Sequence, residues 1–190
     1  IKYSSYIFSK DGLIKLDSKH KVPQDGVGSY NWYASALYLS KLIDNGILID
    51  FGSTTCDFSI IKNGNIQNRR TSDIDGMLTK ELLYTGCSRT PIYAHISEVR
   101  YRNKIYSIIP ESFSSMSDIN IILGNLSKGD IYSKSSDGSS HSSLQSYKRI
   151  SRSFGFDYDR SQKNLINSLC SEIYNNPVSY THLRAHETTD

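Results

Sequence analysis

Short β-hairpins alternate with amphipathic helices along this sequence, and that alternation predicts a mixed α/β fold. Three observations carry the prediction. The stretch Gly46-Ile47-Leu48-Ile49-Asp50-Phe51-Gly52-Ser53-Thr54-Thr55-Cys56-Asp57-Phe58-Ser59-Ile60-Ile61 reads as strand, tight turn, strand. Residues 99–108 repeat that pattern around Asn103-Lys104. Residues 31–44, 143–154 and 161–174 place apolar side chains at helical spacing.

The elements follow in order. Residues 2–8 read as a strand that turns at Lys10-Asp11-Gly12 into a second strand over 13–16. Trp32, Ala36, Leu37, Leu39, Leu42 and Ile43 mark a helix over 31–44, with Asn45-Gly46 as its C-cap. The apolar run Ile47 to Ile49 predicts a buried strand that delivers Asp50 to a sheet edge. Gly52-Ser53-Thr54-Thr55 is a tight turn of small residues, whose N–H groups and hydroxyls can face one anion as oriented amides do in a nest. Asn63-Gly64 reads as a two-residue hairpin turn of the positive-φ kind, completed by residues 66–70.

Thr71-Ser72-Asp73 reads as a loop, residues 78–83 as a short helical or extended segment, and Tyr84-Thr85-Gly86 as a turn. Arg89-Thr90-Pro91 opens an extended stretch through Ile96, with His95 as a packing residue on an alternating strand. Glu111-Ser112-Phe113 begins a helical turn, and residues 119–123 are apolar. Residues 133–143 form a polar low-complexity segment that reads as a mobile loop. The last two helices present Leu144, Tyr147, Ile150 and Phe154, then Leu165, Leu169 and Ile173, on single faces.

Composition narrows the function classes. At 190 residues, 37% hydrophobic and 22% charged, the chain suits one globular domain. A net charge of +3 with scattered Lys and Arg gives no case for nucleic acid. No apolar run approaches the ~18–20 residues that span a bilayer, so no membrane is expected. Cys56, Cys87 and Cys170 are far apart and fit reduced thiols in a cytoplasmic protein.

The ends read differently from the middle. The chain starts at Ile1 without an initiator Met, so it reads as a fragment. Pro177-Val178-Ser179-Tyr180-Thr181-His182-Leu183-Arg184-Ala185-His186-Glu187-Thr188 resembles a translated sequencing adapter. Residues 177–190 are therefore expected to be a non-native tail, and His182 and His186 take no role despite their helical spacing. On its residues alone the 47–61 hairpin reads equally as a phosphate-binding hairpin or as an ordinary one with a Gly-Ser-Thr turn.

Several segments line up in order with one family. Asn31-Trp32-Tyr33-Ala34 resembles its Asn-Trp-x-Ala helix entry, and Asp50-Phe51-Gly52-Ser53-Thr54-Thr55-Cys56-Asp57 its Asp-x-Gly-Ser-Thr-Thr-x-Asp hairpin. Thr71-Ser72-Asp73 resembles a Thr-Asp loop with an inserted Ser. Glu81-Leu82-Leu83-Tyr84-Thr85-Gly86 with Arg89-Thr90-Pro91 resembles Glu-Leu-x-Tyr-Thr-Gly-x-x-Arg-Thr-Pro. Glu111, Phe113, Asp118, Leu123-Gly124 and Asp137-Gly138 complete the series. The chain up to about Asn176 thus resembles the hydantoinase A/oxoprolinase-related proteins of the tetrahydromethanopterin-linked one-carbon pathway.

The resemblance implies an actin-like ATPase (ribonuclease H-like) fold, with 1–176 forming mostly the second half of a bilobal molecule. The hairpin at 47–61 would be the second of its two phosphate hairpins, so this chain alone is expected to be inactive. The implied activity joins a furanmethyl diphosphate to the phenol of glutamyl-tyramine and releases diphosphate, the step that builds the aryl-furan ether of methanofuran. The same fold also hosts ATP-dependent hydantoinase or oxoprolinase-type hydrolases, sugar-kinase-like phosphotransferases and non-catalytic nucleotide-binding assembly modules. On this reading Gly52, Ser53, Thr54 and Thr55 bind phosphate, and Arg89 pairs with phosphate or with the glutamyl carboxylate. Asp50 and Asp57 hold Mg²⁺ directly or through water. Asp73, Glu81 and Glu111 are the carboxylates offered as the base for the phenol. Mg²⁺ is the expected cofactor, with ATP as the further option, and the partners are small-molecule diphosphate and phenol substrates.

Overall fold

The structure, a computed structural model, describes residues 4–9, 12–16 and 30–175. The expected Lys10-Asp11 turn and the 177–190 tail lie outside the described residues. The chain falls into two compact units. One comprises Ile1–Asp50 with Cys56–Leu83, and the other Phe51–Thr55 with Tyr84–Asp190. Strands and helices intermix in the described residues, as the alternating pattern predicts.

In the first unit, β1 (Ser5–Ser9) and β2 (Gly12–Leu16) form an antiparallel hairpin. The helix α1 (Asn31–Leu39) follows, with Trp32 and Ala36 buried. It stops short of the expected residue 44, at a Ser40 C-cap. Gly46 is not the cap: a Cβ there would lie 2.7 Å from Ile43 Cδ1, so glycine is needed for close packing as β3 begins. A four-stranded sheet centres on β4 (Cys56–Lys62), with β3 (Gly46–Phe51) as one neighbour. Strands β5 (Asn65–Ile66) and β6 (Leu82–Leu83) pair antiparallel with opposite ends of β4.

Between those two short strands the Asn68 carboxamide takes the place of backbone. Its Oδ1 accepts from Ile60 N–H (2.9 Å) and its Nδ2 donates to the Phe58 carbonyl (2.7 Å). Phe58 N–H donates to the Glu81 carbonyl, so β4 stays paired between β5 and β6. This is why the hairpin strand expected over 66–70 ends at Ile66. The Asn63-Gly64 turn has φ 51° and 68°, the left-handed pair anticipated from its residues. The strand expected to be buried is not: Ile47 and Ile49 are 66% and 58% exposed, since only alternate β3 residues face inward. Thr71-Ser72-Asp73 is a helix start, in which Ser72 accepts from Asp75 N–H to cap α2 (Asp73–Leu78).

In the second unit, the expected extended stretch after Pro91 is instead a short helix, α3 (Ile92–His95). Pro91, extended at ψ 143°, occupies its N-cap, a conformation that fits helix entry as well as strand. The hairpin β7 (Glu98–Tyr101) and β8 (Lys104–Ser107) turns on Arg102 and Asn103, one residue earlier than expected. Helix α4 (Met116–Leu123) opens with a Ser115–Asp118 capping box and closes on Gly124 at φ 78°. Helices α5 (Ser143–Ser153) and α6 (Lys163–Asn175) pack with α4 and β7 around Ile92, Val99, Ile119, Ile150, Ile166, Leu169 and Ile173.

A buried polar network accompanies that core. Arg149 is fully buried on α5. Its guanidinium pairs with Asp118 at 2.7 Å and with Asp137 at 3.1 Å, and donates to Ser139 Oγ at 2.6 Å. These bonds anchor the 133–143 segment, which the sequence suggested was mobile. Leu144, expected on the apolar face of α5, is half-exposed.

Candidate functional site

The Gly52–Thr55 turn closes on itself, with Gly52 N–H donating to the Thr55 carbonyl at 2.8 Å. It is then latched onto the segment that follows β6. The Gly52 carbonyl accepts from Cys87 N–H (3.0 Å), and the Ser53 carbonyl accepts from Ser88 N–H (3.2 Å) and Arg89 N–H (2.8 Å). Gly86 lies against the turn so closely that a Cβ would sit 2.5 Å from the Ser53 carbonyl oxygen. It would be closer still to the Ser53 carbonyl carbon and the Thr54 nitrogen. Thr90 completes the latch by accepting from Gly86 N–H at 2.8 Å. Tyr-Thr-Gly and Arg-Thr-Pro, separate motifs in the sequence, are thus the backing of the turn.

With its carbonyls turned to the latch, the turn keeps donors to spare. The N–H groups of Ser53 and Thr54 meet no acceptor among the described residues. The Ser53 and Thr54 hydroxyls lie 3.5 Å apart. Beside them is a cavity of about 420 Å³ lined by Ser53, Ser88, Arg89, Asp130, Tyr132, Ser133 and Lys134. The Arg89 and Lys134 side chains make no ion pair among the described residues. Two cations and several hydroxyls around one hollow, against the single carboxylate of Asp130, can hold an anion with charge-assisted hydrogen bonds. Of the residues offered for phosphate, Ser53 and Arg89 line this hollow, and Gly52, Thr54 and Thr55 do not. Lys134, Ser88 and Ser133 escaped sequence reasoning, because a lysine inside a serine-rich segment carries no spacing signal.

The acidic candidates have separate surroundings. In the first unit, Asp57 forms a buried ion pair with Arg70. The Arg70 guanidinium also stacks 3.9 Å from the Trp32 ring centroid and donates to the Glu81 carbonyl at 3.3 Å. Trp32, Asp57 and Glu81, from three motifs, thus converge on a single arginine that no motif contains. Asp57, expected to hold Mg²⁺, is paired with Arg70, because a buried carboxylate needs a compensating charge. Asp50 is half-buried. Burial pushes the Cys56 thiol up to about 11, and the charges of Asp57 and Asp50 add to that shift. Among the described residues no three His, Cys, Asp or Glu side chains cluster as metal ligands. A Mg²⁺ that keeps several waters needs only one or two protein carboxylates, a requirement that Asp50 fits and Asp57 does not.

The carboxylates offered as bases are not gathered. Asp73 begins α2 behind the Ser72 cap. Glu81 Oε1 accepts from Arg69 N–H at 3.3 Å, while Oε2 is buried with no hydrogen-bond partner among the described residues. Glu111 belongs to the second unit and is exposed in a tight turn.

Comparisons with known proteins place the chain in a family. The family model described as hydantoinase/oxoprolinase matches residues 4–157. A protein of Methanocaldococcus jannaschii named (4-{4-[2-(gamma-L-glutamylamino)ethyl]phenoxymethyl}furan-2-yl)methanamine synthase is 27% identical over 171 residues, covering 90% of this chain and 52% of the relative. A protein of the same name from Methanococcus vannielii is 32% identical over 118 residues, covering 62% of this chain and 53% of the relative. The chain spans about half the length of these curated relatives. With the family model matched from the first strand to the segment after α5, the chain belongs to the hydantoinase/oxoprolinase family.

Proposed function

We propose that the chain is part of a transferase of methanofuran biosynthesis. It would join a furanmethyl diphosphate to the phenol of γ-glutamyl-tyramine and release diphosphate. The observation that carries this reading is the product in the names of both relatives, a phenoxymethyl group on a furan. The Ser53–Arg89–Lys134 hollow supports it, since its donors suit a diphosphate. An actin-like ATPase fold completed by a further portion of the protein accords with the family and with the half-length match.

In this mechanism the Ser53 and Thr54 N–H groups, Arg89 and Lys134 hold the diphosphate. They stabilise its growing charge as the furanmethyl C–O bond breaks and the electron pair leaves with diphosphate. The phenol oxygen forms the new C–O bond at that carbon, and its proton passes to a carboxylate. Asp73, Glu81 and Glu111 remain the carboxylates offered. Glu111 is favoured because it shares a unit with the anion hollow and its side chain has no described partner. Mg²⁺ would supply charge neutralisation when bound, and Asp50 would be the carboxylate to hold it.

The test incubates the complete gene product with furanmethyl diphosphate, γ-glutamyl-tyramine and Mg²⁺. Coupled ether with diphosphate release is expected, and the absence of both rejects the reading. The family's description favours a second reading, an ATP-dependent hydrolase. Substrate-dependent ADP formation distinguishes it.

A further inference from the structure

A second hollow in the same unit carries no charge. It encloses about 330 Å³, a size suited to a small ligand. Phe51, Cys87, His95, Met116, Asn120 and Tyr174 form most of its wall. Phe51 and Tyr174 are each 51% exposed, so two aromatic rings stand at its margin outside the unit's core. Met116 is buried and adaptable, a side chain that fits itself to a flat ring. Burial holds the His95 imidazole below its ordinary pKa, although a hydrogen bond with the Ile173 backbone opposes that shift. No Lys, Arg, Asp or Glu lines the hollow.

The polar part of the wall is fixed. The Asn120 carboxamide donates to the Cys87 carbonyl at 2.8 Å and accepts from Asn125 Nδ2 at 3.0 Å. The Asn125 oxygen is left at the margin with no donor among the described residues, an acceptor for a hydroxyl or amide N–H. An uncharged wall with aromatic edges disfavours diphosphate, which the adjoining Arg89–Lys134 hollow suits. The two hollows divide one junction. Phe51 lines one and Ser53 the other; Gly86 and Cys87 line the first, Ser88 and Arg89 the second.

We propose that the neutral hollow bounded by Phe51, Cys87, His95, Met116, Asn120 and Tyr174 binds the aryl ring of the phenolic substrate. The ring stacks between Phe51 and Tyr174, beside the hollow that takes the diphosphate. The substrate assignment rests on the transferase reading; the hollow's preference for a neutral aryl group over an anion rests on its own wall.

Cys87 supplies the test, because it is half-buried on the wall whereas Cys56 and Cys170 are buried. The complete gene product is alkylated with iodoacetamide, and modification of Cys87 is followed by peptide mass spectrometry. With γ-glutamyl-tyramine at ten times its Kd, Cys87 alkylation slows about tenfold. γ-Glutamyl-ethylamine, which has the tail without the ring, and inorganic diphosphate leave the rate unchanged. Equal rates with and without γ-glutamyl-tyramine, or equal protection by the ringless analogue, overturn the proposal.

Titration calorimetry makes the test independent of the thiol. Tyr174→Ser, a truncation at a half-exposed position, weakens γ-glutamyl-tyramine binding about tenfold and leaves diphosphate binding unchanged. Unaltered aryl affinity overturns the proposal. Protection without coupling activity in the complete protein rejects the transferase and keeps the aryl hollow. Coupling without protection rejects the hollow and keeps the transferase.

Discussion

Replacing Gly86 with alanine places a methyl group where the Ser53–Thr54 backbone already lies, 2.5 Å from the Ser53 carbonyl oxygen and nearer to two further backbone atoms. No flexible side-chain tip can move aside, so the turn or the 86–89 segment must shift. Overpacking of this kind costs about 1–3 kcal/mol, and obstruction by backbone belongs at the upper end. The shift also loosens the hydrogen bonds from Cys87, Ser88 and Arg89 N–H groups to the turn, each worth about 1 kcal/mol net. We expect Gly86→Ala to lose about 3 kcal/mol of stability in urea unfolding and at least about tenfold in diphosphate affinity by calorimetry. Gly129→Ala is the matched control: a Cβ there meets nothing nearer than Ser127 Oγ at 3.8 Å, and stability should stay within about 0.5 kcal/mol. Wild-type stability and wild-type diphosphate affinity in Gly86→Ala would refute the packing of the turn on its latch.

Three further outcomes are expected. Removing the buried cation in Arg149→Met leaves Asp118 uncompensated and should cost about 3–5 kcal/mol in denaturant unfolding; a change under ~1 kcal/mol would contradict the burial of that pair. Burial raises the Asp137 carboxyl, but hydrogen bonds from Ser139 and the Arg149 charge outweigh it and hold the group well below the usual carboxylate range. Its stabilisation is therefore present above the unfolded value near 3.8 and is lost as pH falls through the folded value. Asp137→Asn should remove that part of the acid-limb slope, and an identical slope below pH 4 would contradict this assignment. Arg89→Ala should weaken diphosphate binding about tenfold, and Lys134→Ala about threefold with a shallower salt dependence. Unchanged affinities in both would remove the hollow from consideration.

Local pattern carried much of the fold. Asn63-Gly64 announced its left-handed turn because few other dipeptides tolerate positive φ at both positions. The helices α5 and α6 declared themselves by period, since Tyr147 and Ile150, then Leu169 and Ile173, recur at the spacing that buries one face. The segment after Pro91 misled, because an extended Pro91 opens a helix as readily as a strand, and the helix declares itself only in the bonds from Ala94 N–H to the Pro91 carbonyl and from Ile96 N–H to the Ile92 carbonyl. Low complexity misled at 133–143, where the decisive partner, Arg149, is distant in sequence.

The site was legible in its parts and not in its assembly. Ser53 and Arg89 were found as motif residues, but their meeting depends on Gly86, whose role is an empty space. Trp32, Asp57 and Glu81 were each visible as motif residues. The residue that unites them, Arg70, stands beside Arg69 with no spacing to single it out. The pairing of Asp57 with Arg70 was therefore not legible, because it depends on a contact distant in sequence.

The most direct measurement is diphosphate release by the complete gene product supplied with furanmethyl diphosphate and Mg²⁺, with and without γ-glutamyl-tyramine. The transferase reading predicts release that depends on the phenol, matched by ether formation, and that needs no ATP. No phenol-dependent release, or turnover only with ATP consumed to ADP, would contradict it.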